Sequence, residues 1–126
     1  MAGTLADALD GATYVSTAAE GQDLVEGSSV RLAFEDGRLA VDAGCNTQSA
    51  AYAVTEGRLA WTGPPIGTRM ACPDDLMAQD AWVAGLLVEG LDATLDGDDL
   101  ILSAGDVVLH LRREPAERPT PEPAPE

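Results

Sequence analysis

The chain has no lysine, one histidine and two cysteines among its 126 residues, and its aromatic content is only 4%. Seven arginines stand against 22 acidic residues, so the formal charge is −15. Phosphate backbones and anionic membrane surfaces repel such a protein, so nucleic acid is not an expected partner. The first residues lack a basic start followed by an apolar run, and we expect no signal peptide or transmembrane segment in the sequence itself.

The same scarcity limits the chemistry that the chain can perform. His110 is the only histidine and no serine lies in a GxSxG motif, so a catalytic triad is not available. The acidic pair Asp98-Asp99 falls at a predicted turn, where carboxylates need no catalytic explanation. Two cysteines without CxxC spacing or neighbouring histidines do not supply a zinc site. We therefore predict a non-enzymatic protein without a metal or a cofactor.

The length corresponds to one domain, which we expect to be monomeric. Its predicted boundaries are residues 12–113, preceded by a flexible segment at residues 1–11. Residues 114–126 read EPAERPTPEPAPE. Recurrent proline opposes both helix and inner strand, and this stretch has no apolar material to bury, so we predict a disordered tail.

Most of the domain reads as short strands joined by turns rich in glycine and acidic residues. Apolar residues alternate with polar or small ones on both sides of Asp36-Gly37 and again of Glu56-Gly57, which is typical of hairpins. Similar patterns surround Asp96-Gly97 and Gly105-Asp106. Consecutive hairpins indicate an antiparallel sheet, and such a sheet can remove its exposed edges by curling toward a barrel.

One segment, PDDLMAQDAWVAGLLVEG, has helical spacing instead. Pro73 suits a helix start, two aspartates follow it, and Gly90 suits a helix stop. Apolar residues cover so wide an arc that contact with one flat sheet would not bury them all; they are Leu76, Met77, Ala81, Trp82, Val83, Ala84, Leu86 and Leu87. We therefore expect an α+β fold in which a curved antiparallel sheet of about seven or eight strands surrounds one helix.

Two motifs in this order and spacing resemble those of a known family. GCN ends one predicted strand, and TRMACP leads into the helix. The residues concerned are Gly44, Cys45, Asn46, Tyr52, Thr68, Arg69, Met70, Ala71, Cys72 and Pro73, followed by Leu76, Met77 and Asp80 in the helix. On these residues the chain resembles the META/HslJ family of bacterial envelope proteins, from about Ala12 to Arg113. It departs from the family at Ala50-Ala51, where glycine is usual, and at Tyr14, where tryptophan is usual.

The resemblance implies an incompletely closed antiparallel barrel wrapped around one helix, similar in architecture to lipid-anchored pilot proteins of secretion systems. Family members are typically exported, often as lipoproteins, and are associated with stress responses. We therefore expect a location in the cell envelope or outside the cell, or in the cytoplasm if Met1 is the native start. The resemblance supplies no catalytic residue.

Cys45 and Cys72 both belong to the motifs of the resemblance, and we expect a structural disulfide between them. A second interpretation is a thiol-redox protein in which Cys72 attacks and Cys45 resolves, since a helix N-terminus and Arg69 both favour a thiolate. A third is a pair of reduced, buried thiols, which a cytoplasmic location would favour.

Asn46 and Arg69 are the candidate ligand contacts, at a polar patch beside the helix start. The predicted function is that of a cell-envelope accessory or stress-tolerance protein that binds an envelope protein or an acyl chain. Two alternatives are the thiol-redox protein and a small carrier of hydrophobic ligands. The carrier requires a cavity between sheet and helix.

Overall fold

The computed structural model describes residues 5–21, 23–68 and 71–114. These residues form a nine-stranded sheet and two helices. The elements in chain order are α1 (Leu5–Leu9), β1 (Thr13–Glu20), β2 (Arg31–Glu35), β3 (Arg38–Asp42), β4 (Thr47–Thr55), β5 (Arg58–Trp61), β6 (Ile66–Gly67), α2 (Asp74–Glu89), β7 (Leu91–Asp96), β8 (Asp99–Ala104) and β9 (Val107–Arg113).

The sheet closes on itself into an antiparallel barrel. Its strand order is β3-β2-β1-β9-β8-β7-β5-β4, and β3 also pairs with β4, which closes a ring of eight strands. β6 lies outside this ring and pairs with β4. The α+β class and the antiparallel barrel are confirmed. The barrel is closed, whereas the resemblance implied an incompletely closed one. Closure also requires the pairing of β5 with β7, through Arg58↔Asp92 and Leu59↔Leu91, and local patterning does not reveal these long-range contacts.

The predicted hairpins follow from their turn residues. Asp36 and Gly37 have φ angles of 52° and 79°, and Glu56 and Gly57 have φ angles of 54° and 80°. Two central residues with positive φ give the tight turn whose twist matches that of the flanking strands. The register is set accordingly, with Glu35 opposite Arg38 and Thr55 opposite Arg58.

The interior of the barrel is filled by side chains. Phe34 packs edge-to-face against Tyr14 and Tyr52, with ring centroids 6.0 and 5.1 Å away. The largest fully buried side chains are Tyr14, Phe34, Leu9, Leu32, Leu39, Leu59, Leu87, Leu91, Leu100, Leu102, Leu109 and Leu111. An acyl chain inside the barrel would have to displace this core, so the structure does not favour the carrier interpretation.

Helix α2 begins after Pro73 and ends before Gly90, which has a φ of 104°. Its buried residues are Gln79, Asp80, Val83 and Leu87, while its other side is open to solvent. The helix therefore packs on the barrel through one face instead of being enclosed by it. The predicted apolar arc was too wide, because Met77, one of its members, is exposed.

The described part of the N-terminal segment includes a short helix. Leu5–Leu9 form the short helix α1, and Leu9 is fully buried in the core. The backbone N–H of Gly11 donates to the carbonyl of Phe34 at 2.7 Å. Burial of one large apolar side chain explains why this part of the segment packs on the domain. Most of the predicted tail, residues 115–126, lies outside the described residues.

Candidate functional site

Two polar side chains of α2 reach into the protein and hold the loop that contains the GCN motif. Asp80 is only 6% exposed, and its carboxylate accepts hydrogen bonds from the backbone N–H groups of Asn46 (2.8 Å) and Cys45 (3.4 Å). Hydrogen bonds to a charged acceptor are stronger than neutral ones. The aspartate therefore fixes the loop to the second turn of the helix.

Gln79, also 6% exposed, makes a second set of contacts. Its Oε1 accepts from the backbone N–H of Val25 at 2.7 Å, while its Nε2 donates to the carbonyl of Ala43 (2.7 Å) and to Ser28 Oγ (2.9 Å). One side chain thus joins two loops to the helix. A buried side-chain amide stabilises the structure when its hydrogen bonds are formed, whereas a buried amide without partners costs free energy.

A disulfide joins the same loop to Cys72, two residues before the start of the helix. Cys45 and Cys72 are bonded, with Cα atoms 6.1 Å apart, and they close a loop of 27 residues. In the loop-entropy model such a bridge stabilises the fold by about 3.5 kcal/mol. We call the bridge, Gln79 and Asp80 together the α2 anchor.

Gly44 allows the helix to approach this loop. Its φ is 121°, and a Cβ atom there would lie 2.9 Å from Leu76 Cδ2. A larger residue would clash with the helix and would adopt an unfavourable backbone conformation. The glycine of the GCN motif therefore serves packing.

The outer side of α2 forms one wall of a groove, and β6 forms the other. We call it the α2–β6 groove. Its volume is about 670 Å³. Ile66 is 69% exposed and Met77 is 45% exposed, so large apolar side chains stand on both walls. The lining residues are Asn46, Gln48, Pro65, Ile66, Gly67, Thr68, Met77, Asp80, Ala81 and Ala84.

A family model for the META domain matches residues 7–115. The chain belongs to the META domain family. The match begins before the predicted boundary at residue 12, in agreement with the packing of the N-terminal segment. No curated protein matches the chain significantly.

Two solved structures, both determined by NMR, share the fold of this META domain. One is 21% identical with a TM-score of 0.69, and the match covers 85% of this chain and 92% of that chain. The other, a protein from Burkholderia xenovorans, is 20% identical with a TM-score of 0.69, and the match covers 88% of this chain and 87% of that chain. At this identity the likeness shows the fold alone.

Most motif residues of this META domain meet beside the start of α2. Thr68 Oγ1 donates to Asn46 Oδ1 at 2.9 Å and accepts from the backbone N–H of Thr47 at 3.1 Å, while Pro73 precedes the first residue of the helix without a side-chain capping bond. Tyr52 lies apart, against Phe34. Arg69 and Met70 lie outside the described residues, so of the two candidate ligand contacts only Asn46 is placed, on the α2–β6 groove.

Neither Gln79 nor Asp80 is assigned a role by sequence reasoning, although a signal was present. Gln79, Val83 and Leu87 recur at intervals of four residues, so the glutamine belongs to the stripe that helical geometry buries. A polar residue on a buried stripe requires a hydrogen-bonding partner. Its partners come from distant loops and are not evident from spacing.

The described residues contain no group of three or more His, Cys, Asp or Glu side chains arranged to hold a metal ion. None of the described helices combines the length and apolarity needed to cross a membrane. Burial raises the pKa of the Tyr14 hydroxyl, although Arg113 acts in the opposite direction. Since an ordinary tyrosine is already protonated at neutral pH, Tyr14 carries no nucleophilic phenolate there.

Another groove lies at the N-terminal end of α2, and charged residues form part of its lining. Its volume is about 450 Å³, and its charged lining residues are Glu26, Arg31, Asp42 and Asp75. Arg31 pairs with Glu114, with a shortest distance of 2.7 Å. Three carboxylates beside an already paired arginine make this groove less suited than the α2–β6 groove to an apolar ligand.

Proposed function

We propose that this META domain is a non-enzymatic accessory protein of the cell envelope that acts by binding a protein partner in the α2–β6 groove. The observation that carries the proposal is the pair of exposed apolar side chains, Ile66 and Met77, on opposite walls of one groove. Exposed apolar surface bounded by polar residues is typical of protein interaction sites. Stress tolerance, which the family resemblance implies, would be a consequence of such binding.

The rigidity of the helix wall supports this function. The α2 anchor holds the opposite face of the helix through a disulfide and buried hydrogen bonds. A wall that is fixed before binding loses little conformational entropy when a partner docks. The anchor and the groove therefore share one helix, and Asp80 belongs to both, because it binds the GCN loop and also lines the groove.

The disulfide supports a location in the envelope or outside the cell. Protein disulfides persist in oxidising compartments and are rare in a reducing cytosol. Thiol chemistry is a less suitable function, because Cys45 is only 8% exposed and Asp74, Asp75 and Asp80 follow Cys72 closely. Nearby carboxylates disfavour the thiolate that a redox protein needs.

Photo-crosslinking in cells that make the protein tests the binding surface. A photo-reactive amino acid would replace Met77 in one variant and Ala78 in another. Both residues are exposed on α2, but only Met77 lines the groove. We expect one discrete protein adduct from position 77, none from position 78, and loss of the adduct when Ile66→Lys is added.

Equal adducts from both positions, or none from position 77, would contradict the proposed binding surface. The location has its own test, in which thiols are alkylated in intact cells before fractionation. We expect Cys45 and Cys72 to be bridged in the envelope or secreted fraction. Recovery of the protein in the cytosolic fraction with both cysteines alkylated would refute the location.

A further inference from the structure

β6 forms an edge in the sheet of described residues, because β4 lies on one side of it and no strand lies on the other. It consists of only Ile66 and Gly67, and it faces the α2–β6 groove. Strand edges carry backbone N–H and C=O groups that another extended chain can pair with. Within the described part of the molecule, the rest of the sheet is closed into the barrel.

The hydrogen bonding of β6 shows which backbone groups face β4 and which face away from it. Thr68 donates its N–H to the carbonyl of Thr47 at 3.1 Å, so its N–H points toward β4. Ile66 lies opposite Ser49 and Gly67 lies opposite Gln48. Because backbone groups alternate along an antiparallel strand, the N–H and C=O of Gly67 point away from β4. Among the described residues they have no hydrogen-bonding partner.

The charges beside the groove specify the kind of chain that fits. Helix α2 carries no lysine or arginine, and the carboxylate of Asp80 lines the groove. Asp74 lies three residues before Met77, and therefore on the same side of the helix. A ligand that places an apolar residue between Ile66 and Met77 would bring its neighbouring residues close to this negative charge, which favours basic ones.

We infer that the α2–β6 groove takes an extended segment of a protein partner, which adds as a strand to the edge of β6 and in which apolar residues are followed by basic ones. The inference rests on the proposed function and specifies the partner of the same groove. Backbone pairing with Gly67 contributes binding free energy that does not depend on the partner's sequence. The partner's side chains that reach Ile66, Met77 and Asp74 supply the specificity.

A second copy of the chain is a less suitable occupant. Two such molecules carry a formal charge of −15 each and repel one another at low ionic strength. Exposed acidic residues would also be brought together at the helix. A basic segment is attracted by the same charge, so its binding should weaken as salt is added.

The test uses an acetylated and amidated peptide of about eight residues, the length of an ordinary strand, in which valine and lysine alternate. Fluorescence anisotropy measures its binding to the full chain. Two further peptides carry N-methyl groups on alternate residues. One is methylated on the odd-numbered residues and the other on the even-numbered residues. In an added strand only one register turns its N–H groups toward β6, so we expect one methylated peptide to bind about tenfold more weakly and the other to bind like the parent.

Variants of the protein then locate the site. Met77→Lys should weaken binding of the parent peptide by about tenfold or more, whereas Ala78→Lys should not. Asp74→Asn should weaken it by several fold, with Asp75→Asn, in the same helical turn, as the control. Hydrogen exchange at the Gly67 N–H should slow when the peptide is bound, because that group becomes a donor to the added strand.

The outcomes separate this inference from the proposed function. Equal binding of both methylated peptides, combined with sensitivity to Met77→Lys, would overturn strand addition and leave the groove as the binding surface. Equal binding of a peptide that alternates valine with glutamate would overturn the basic partner. No binding by any peptide would refute this class of partner, whereas a crosslink from position 77 would still support the groove. A concentration-dependent dimer abolished by Met77→Lys would make a second copy the occupant.

Discussion

The two sides of helix α2 differ in chemistry. The inner side carries the polar residues Gln79 and Asp80, both buried and hydrogen-bonded to loops, whereas the outer side exposes apolar Met77. The usual arrangement places apolar residues inside and polar residues outside. Here the helix reverses it over part of its length, and of the anchor residues only Asp80 also lines the proposed binding groove.

The reversal has a physical cause on each side. The GCN loop ends a strand and leaves backbone N–H groups that the barrel does not pair, and Asp80 accepts from those of Cys45 and Asn46. Buried N–H groups need such an acceptor. On the outer side nothing in the described part of the chain covers Met77 or Ile66. Substitutions on the inner side should therefore change stability, and substitutions on the outer side should change binding.

The largest effect is expected from removing the disulfide. The double variant Cys45→Ala/Cys72→Ala should lose about 3.5 kcal/mol of unfolding free energy, because the unfolded chain is no longer restricted by the bridge. Urea denaturation measures this loss. Reduction of the wild type should lower stability by a similar amount, and reductant should have no effect on the double variant. Equal stability of the wild type with and without reductant would show that the bridge contributes nothing to the anchor.

Removal of the Asp80 carboxylate should have a slightly smaller effect. Asp80→Ala leaves two backbone N–H groups without their acceptor, and we expect a loss of about 3 kcal/mol in urea denaturation. Asp74→Ala removes an exposed carboxylate from the same helix and should change stability by less than about 0.5 kcal/mol. If both variants lost the same unfolding free energy, the charge on the helix would explain the role of Asp80, and the loop contacts would not.

Local patterns were sufficient to predict most of the barrel but not its closure. Asp36-Gly37 and Glu56-Gly57 fixed two hairpins, since both turns require positive φ. The pairing of β5 with β7 joins strands separated by the whole of α2, and it depends on contacts that no short window contains. The closed ring therefore became visible only in the structure.

The candidate site was predictable only in part, for a similar reason. Cys45 and Cys72 were recognised from their motifs, and their bridge is present. The groove was not predicted, because β6 has only two residues and shows no periodicity. Met77 was interpreted as part of an apolar arc that would be buried. Sequence spacing shows which residues share one face of a helix. The face that the barrel covers, however, depends on the loops that Gln79 and Asp80 bind.

Gly67→Ala tests the β6 wall of the groove and should have the smallest effect on stability. A Cβ atom at Gly67 would lie 2.3 Å from the carbonyl oxygen of Thr47, so β6 must move away from β4. The strand is short, and the cost cannot exceed that of detaching it, which we expect to be about 1 to 2 kcal/mol.

Gly63→Ala is the matched control for this glycine, because a Cβ atom there meets nothing within 4 Å. We expect its stability in urea to stay within about 0.5 kcal/mol of the wild type. If Gly67→Ala left both stability and the crosslink from position 77 unchanged, β6 would not form a fixed wall of the groove. A modest loss of stability together with loss of the crosslink would instead place the binding surface at β6. In that case detaching β6 costs little unfolding free energy but removes binding, so the strand contributes more to recognition than to the fold.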